Sequence, residues 1–189
     1  ATLQYGEFTL APGSSYDDLI EVLSEYAKAE SVRLTFPEGT TAIAMARKME
    51  DAGLCTAEEF LKEANTGDFS EYKFWQYVPD DKDAPDRFLK CEGYLFPDTY
   101  EFFVGENASS VVKEFLSNGD SKISEKDRAQ AKKLGYSMYE VMTIASIIQK
   151  EAGSEKQMKT ISSVIHNRLS DKTNFPSLGC QSTSDYITN

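Results

Sequence analysis

Glu151 is a carboxylate set where a helical pattern asks for an apolar side chain. The segment from Ser137 to Gly153 opens with Ser137 and Glu140 at capping-box spacing and closes on Gly153, a helix stop. Inside it Val141, Ile144, Ala145, Ile148 and Ala152 recur at the spacing of a buried helical stripe. Glu151 follows Ile144 by seven residues and Ile148 by three, so its side chain is expected to leave the helix beside that stripe. It also sits in the last turn, where the negative end of the helix dipole disfavours further negative charge. Desolvation and dipole together predict a raised pKa. An acid held protonated near neutral pH suits protonation of a poor leaving group such as a glycosidic oxygen. The plainer alternative is a solvated glutamate paired with Lys150 or Lys156.

Other reactive residue types offer less. His166 is the single histidine, so neither a zinc cluster nor a Ser-His-Asp triad is readily assembled, and no metal or cofactor is called for. His166 is expected to be a half-buried structural residue of an amphipathic helix. Cys55, Cys91 and Cys180 are an odd count at wide spacings, allowing at most one bridge and recommending no thiol nucleophile. The formal net charge of −11 argues against nucleic acid and anionic lipid surfaces as partners. There is no run of about eighteen apolar residues of the kind that spans a bilayer. A chain of 189 residues with 40% hydrophobic and 12% aromatic content can bury one good core or two small ones.

The elements expected to position Glu151 follow from turn and cap signals. After a turn at Pro12-Gly13, Ser14 or Ser15 caps a helix with Leu19, Ile20, Leu23 and Tyr26 on one face. Val32 to Phe36 reads as a strand. Pro37-Glu38-Gly39 turns the chain, and Thr40 or Thr41 caps a helix bearing Ile43, Met45, Ala46 and Met49 that stops at Gly53. Thr56 with Glu59 begins the next helix, which buries Phe60 and Leu61. Asn65 to Lys90, with Asp80-Asp81-Lys82-Asp83, reads as a linker or exposed loop, where Trp75 either anchors the loop to the core or stacks on sugar rings.

Glu92 to Val104 is aromatic and β-rich, with a bend at Pro97-Asp98. That bend would present Asp98, Thr99 and Tyr100 beside Tyr94 and Phe96, as a sugar-binding cleft wants, although a core strand with a turn accounts for the pattern equally. Helices are then expected over Ala108–Ser117, Ser124–Leu134, the Glu151 segment and Ser154–Leu169. Ser154 and Gln157 make a further capping box, so the last two helices meet in a tight corner at Glu151. Asn167 and Arg168 could face back to that corner, with Arg168 equally suited to a structural ion pair.

Ile144-Ala-Ser-Ile-Ile-Gln-Lys-Glu-Ala152 resembles the signature helix of the YceG-like endolytic murein transglycosylases, and the family's catalytic glutamate falls on Glu151. Glu92-Gly-Tyr-Leu-Phe-Pro-Asp-Thr-Tyr-Glu101 resembles the second signature, and Ser163-Val-Ile-His-Asn-Arg-Leu169 the helix that ends in Asn-Arg-Leu. Leu34-Thr-Phe-Pro-Glu-Gly-Thr-Thr41 and the two helices after it are similar to a LysM-like subdomain. The family's Leu-Gln-Ser-Asp-x-Thr-x-x-Tyr stretch keeps register here at Leu178, Thr183 and Tyr186, while Gly179 and Gln181 replace the usual Gln and Asp.

The resemblance implies an α+β fold: a small LysM-like β-α-α-β subdomain joined to a mainly helical catalytic domain with a short β-sheet. Residues 1–64 would hold the LysM-like part with its preceding helix, 65–91 the linker and 92–189 the catalytic domain, incomplete at its C-terminal end relative to the family. It also implies nonhydrolytic cleavage of the bond between N-acetylmuramic acid and N-acetylglucosamine, giving a 1,6-anhydro end. Glu151 would be acid and then base, with Gln149, Asn167 or Gln181 supplying dipolar density to the oxocarbenium-like transition state. With Tyr94, Asp98, Thr99, Tyr100, Thr183 and Tyr186 these make the expected substrate-binding set. Peptidoglycan glycan strands are the implied partner, and peptidoglycan synthases a second partner class. The implied location is the extracytoplasmic face of the bacterial cytoplasmic membrane, through an N-terminal helix that this chain does not contain. Two alternatives stay open: a hydrolase using a second carboxylate from Glu92, Asp98 or Glu101, and a noncatalytic glycan-binding or scaffolding module. No lysine lies in a context that suggests a pyridoxal phosphate Schiff base.

Overall fold

A computed structural model describes residues 11–25, 31–79 and 89–188. The expected position of Tyr26 on the first helix and the acidic run Asp80-Asp81-Lys82-Asp83 lie outside the described residues.

Strand β1 (Ser31–Thr35) pairs antiparallel with β2 (Thr99–Phe103), in a register that sets Val32 opposite Phe102 and Leu34 opposite Tyr100. Alternation turns these four side chains toward the core and leaves Ser31, Arg33, Thr35, Thr99 and Glu101 outside. Outside, the Ser31 hydroxyl donates to Glu101 at 2.7 Å and the Thr35 and Thr99 hydroxyls share a 2.8 Å bond. Pro97 precedes the ladder, where its missing N–H costs nothing. Helices α1 (Tyr16–Glu25), α2 (Ala42–Asp51) and α3 (Ala57–Thr66) form close to the expected limits, and Thr41 and Thr56 are the caps of α2 and α3. The closing strand of the β-α-α-β unit is β2, which belongs to the second sequence signature and not to the first 64 residues.

One core consequently runs across the expected boundary. Phe36, Met45, Met49 and Phe60 from the first part share it with Phe102, Phe115 and Leu116 from the second. Phe115 lies 5.0 Å from Phe36, 5.9 Å from Phe60 and 4.4 Å from Tyr100 between ring centroids, the spacing at which aromatic pairs add to their burial. The stretch read as a linker also contributes: Phe69 and Phe74 are fully buried, and Trp75 packs edge-on against Phe69 at 5.3 Å. Trp75 therefore anchors this segment, and the part of it that is described is not an exposed loop.

Helix α4 (Ala108–Lys122) runs past the expected end at Ser117, because Gly119 serves packing and not termination. A Cβ there would stand 2.8 Å from the Tyr94 carbonyl oxygen. Helices α5 (Glu125–Leu134), α6 (Met138–Glu151), α7 (Glu155–Ser170) and α8 (Gln181–Thr188) follow, with α6 packing on α5, α7 and α8. Ser124 and Ser137 form complete capping boxes with Asp127 and Glu140. Ser154 makes no side-chain cap, and Gln157 reaches back to the Gly153 N–H at 2.9 Å. The expected buried stripe of α6 is only half-buried, with Ala145 exposed, and Met138 is the helix's buried residue. α8 has no counterpart among the expected elements. The class is α+β, mostly helical around a two-stranded sheet. Among the described residues no helix is long and apolar enough to cross a membrane.

Candidate active site

Glu151 closes α6, and the Ser182 main-chain N–H donates to its Oε1 at 3.0 Å. Ser182 is the second residue of α8, so its N–H is one of the groups that a helix start leaves without an internal partner. Anions are favoured at that end by the dipole as well. Glu151 is partly covered as a residue, yet its carboxylate stays close to solvent. Hydrogen bonding from Ser182, through its side chain and then its N–H, holds the pKa below the ordinary glutamate value; burial and the Asp185 charge push weakly upward. The expected raised pKa is thus corrected: the stripe around Glu151 is too open for desolvation to outweigh these bonds. Among the described residues neither Lys150 nor Lys156 forms an ion pair with it.

The turn before α2 closes one side. Gly39 has φ +82°, and a Cβ built there would meet Gln149 Cγ at 3.4 Å and Lys150 Cε at 3.8 Å, so the turn lies against the last turn of α6. Gln149 is half-buried at that contact. Ahead of α8, the Arg168 guanidinium donates to the Leu178 carbonyl and stands 5.7 Å over the Phe175 ring. Arg168 therefore secures the 171–180 loop, and Asn167 beside it is exposed. Burial and then Glu151 push the Cys180 thiol up, with Arg168 opposing, so these three groups are neighbours. Cys55, Cys91 and Cys180 form no disulfide with one another. His166 bonds Tyr136 through Nδ1 at 2.9 Å, the structural role expected for it.

On α8, Gln181 donates to Asp185 at 2.8 Å and Thr183 is exposed. Tyr186 donates its hydroxyl to Glu92 Oε2 at 3.0 Å. Burial and the Glu92 charge raise the Tyr186 pKa, so the phenol stays protonated. Glu92 also accepts the Ala42 N–H at 3.1 Å, at the start of α2.

The remaining expected ligands divide. Thr99 and Tyr100 line a groove of about 510 Å³ between β2 and α4, together with Glu101, Glu114, Ser117, Asn118 and Ser121, and Asp98 bonds to Asn118 at its edge. The Asn118 amide donates to Asp98 at 3.1 Å and to the Tyr100 hydroxyl at 2.8 Å, and it contributes first, before the Thr99 N–H, to the lowered Asp98 pKa. The Tyr100 ring is 6% exposed, its hydroxyl donates to the Phe96 carbonyl, and burial pushes its pKa up to about 12. Tyr94 is 4% exposed and stacks on Phe74 at 4.6 Å. Both rings are core, which withdraws their faces from a sugar, because inward alternation in β2 and the Phe74 contact claim them first.

Of the expected residues, Glu151 meets Ser182 at the α6–α8 corner, Gln181 and Thr183 flank Ser182 on α8, Gln149 lies against the Gly39 turn, and Thr99 lines the β2–α4 groove with Asp98 at its edge. Ser182 and Asn118 were missed by the sequence reading. Nothing in the sequence reading marked a helix start at Gln181, and nothing in the sequence marks Asn118. No group of metal-ligating side chains occurs among the described residues.

A family model described as the YceG-like family matches residues 1–189. An endolytic murein transglycosylase of Streptococcus pneumoniae serotype 2 is 29% identical over 183 residues, covering 88% of this chain and 33% of the relative. One of Bacillus subtilis is 26% identical over 174 residues, covering 89% and 48%. The chain spans about a third to a half of the length of these curated relatives. A 2.6 Å crystal structure of a yceG-like protein from Listeria monocytogenes superposes with TM-score 0.65 at 27% identity, covering 90% of this chain and 57% of that one.

Proposed function

The chain belongs to the YceG-like family, and on that premise we propose that it cuts peptidoglycan glycan strands internally as a lytic transglycosylase, with Glu151 as its single acid and base. The observation that carries this is the Glu151 carboxylate at the end of α6, partly covered and held by the Ser182 N–H at 3.0 Å, where α6 and α8 meet beside the Gly39 turn.

In the resting state Glu151 is ionised. A glycan strand seated at the corner strips water from the carboxylate, which favours its protonated form. Glu151 then gives its proton to the oxygen between N-acetylmuramic acid and N-acetylglucosamine. The bond from muramyl C1 to that oxygen breaks, and its electron pair leaves with the N-acetylglucosamine. The muramyl C6 hydroxyl closes onto C1 and gives its proton to the carboxylate, regenerating protonated Glu151 without consuming water; the proton that the carboxylate took from solvent when the strand bound returns to solvent as the product leaves. One carboxylate suffices because the substrate supplies its own nucleophile; a hydrolase would need a second. In this reading Gln149 and Gln181 are the side chains that would offer amide dipoles to the cationic transition state. Thr99 in the β2–α4 groove and Asp98 at its edge would offer hydroxyl and carboxylate partners to sugars further along the strand. The proposed place of action is the cell envelope, on the outer face of the cytoplasmic membrane, with peptidoglycan synthases as the partner class that makes the strand.

Digestion of peptidoglycan in heavy-oxygen water tests the mechanism. Anhydro-muramyl ends without solvent oxygen support it, and Glu151→Gln should remove them. Ends carrying heavy oxygen would replace it with hydrolysis. A noncatalytic glycan-binding module is the second reading. The observation favouring it is that the Glu151 carboxylate already serves as a cap for α8. Equal glycan binding by wild type and Glu151→Gln, with no product from either, would establish that reading.

A further inference from the structure

We infer that Glu92 is a positioning residue for the Glu151 corner: through the Tyr186 hydroxyl it holds α8 where the Ser182 N–H meets the Glu151 carboxylate. The inference rests on the site assigned above, and it is independent of whether that site cuts or only binds glycan.

Two carboxylates from distant parts of the chain grip one short helix. Glu151 takes the Ser182 N–H at 3.0 Å and Glu92 takes the Tyr186 hydroxyl at 3.0 Å. Ser182 and Tyr186 are four residues apart, so they lie on the same side of α8, about 6 Å apart along it. Glu92 is itself held by the Ala42 N–H at 3.1 Å, at the start of α2. The chain of contacts therefore runs from α2 through Glu92 and Tyr186 to α8, and through Ser182 to Glu151. An eight-residue helix does not hold its shape in water unaided. Its docking depends on packing against α6 and on these two bonds. Tyr186 thus acts on the protein's own Glu92, and Glu92 is occupied by two donors, which disfavours it as a second catalytic carboxylate.

If Glu92 lets go, α8 loosens and Glu151 loses the donor that lowers its pKa. The groups facing Glu151 are Asp185 on α8 and Cys180 just before it, with Arg168 of α7 next to Cys180. Tyr186→Phe leaves all of these in the chain, so a change in Glu151 titration would report the Ser182 contact.

The experiment uses the whole chain as Tyr186→Phe, Glu92→Ala and Glu92→Gln. It follows amide exchange at Ser182 and carboxyl titration of Glu151 by NMR, together with the pH profile of anhydro-product release. Loss of a hydrogen bond to a charged acceptor should speed Ser182 exchange in Tyr186→Phe by about tenfold or more. The Glu151 titration should move upward, and the acid-form limb of the pH profile should move with it. Glu92→Gln keeps an acceptor oxygen and should fall between wild type and Glu92→Ala. Unchanged Ser182 exchange and Glu151 titration in Tyr186→Phe would overturn the inference, and that variant decides alone if Glu92→Ala fails to fold. An inactive wild type would sink the transglycosylase reading while leaving both NMR measurements able to judge Glu92.

Discussion

Ser182 and Glu151 are 31 residues apart in sequence, and the Ser182 N–H meets the Glu151 carboxylate at 3.0 Å. The contact makes Glu151 the cap of a helix other than its own, and makes that helix the main cause of its lowered pKa. On the proposed reading, chemistry and docking of α8 are therefore coupled at one side chain.

Replacing that side chain separates the two roles. In Glu151→Gln an oxygen still accepts the Ser182 N–H, so α8 stays docked while general acid–base catalysis is lost, a drop of about 10²- to 10⁴-fold in product release. Glu151→Ala should lose product equally and also speed amide exchange along α8. Parallel exchange and product assays on the two variants check this, and equal exchange in both would contradict it.

Acid should undo the contact in a definite direction. The folded pKa of Glu151 lies below the ordinary value, so its contribution to α8 docking is fully present above the ordinary carboxylate range and fades as pH falls through the lowered folded value. The capping carboxylates Glu59, Asp127 and Glu140 are lowered likewise by bonds to Thr56, Ser124 and Ser137, so their helix starts loosen in the same window. Residue-resolved exchange between pH 6 and pH 3 should show protection at these starts and at Ser182 falling with pH, never rising.

Phe115 is the ring on which the two halves of the sequence converge. It is fully buried against Phe36, Phe60, Tyr100 and Phe102. Phe115→Ala should cost about 3–5 kcal/mol in urea unfolding. A loss under about 1 kcal/mol would mean that the core is not packed as described.

Gly119 reverses the usual helix ranking. Alanine in mid-helix gains about 1 kcal/mol over glycine, but a Cβ here would sit 2.8 Å from the Tyr94 carbonyl oxygen, which is backbone and cannot turn aside. Gly119→Ala should therefore destabilise, by on the order of 1–3 kcal/mol as other overpacked sites do. Thermal melting decides the sign.

Ser137 and Ser154 look alike in sequence, each with an acceptor side chain three residues on. Only Ser137 completes its box. Ser137→Ala should lose about 1 kcal/mol, whereas Ser154→Ala should change stability by less than about 0.5 kcal/mol. Chemical denaturation of the pair measures the difference.

Local signals foretold what local forces make. Thr41, Thr56, Ser124 and Ser137 cap helices because a hydroxyl and a nearby N–H need nothing from the rest of the fold. The apolar runs of α2 and α3 and the Pro97 bend before β2 were legible for the same reason, as was Glu151 at the end of α6. Motif order along the chain pointed to the YceG-like family, since spacing within a signature survives in sequence.

What contacts across the fold decide was not legible. The partner of β1 lay in a segment assigned elsewhere, because strand pairing depends on which edges meet and not on either strand alone. Tyr94 and Tyr100 look like cleft aromatics until Phe74 and Phe115 cover them. The direction of the Glu151 pKa shift depended on an N–H brought from 31 residues away, and only the folded chain sets that hydrogen bond against the weak burial around it. Residue types and their local spacing thus determined the candidate acid, while its protonation, its neighbours and the role of Glu92 came from tertiary structure, because electrostatic and hydrogen-bond energies depend on distance through space.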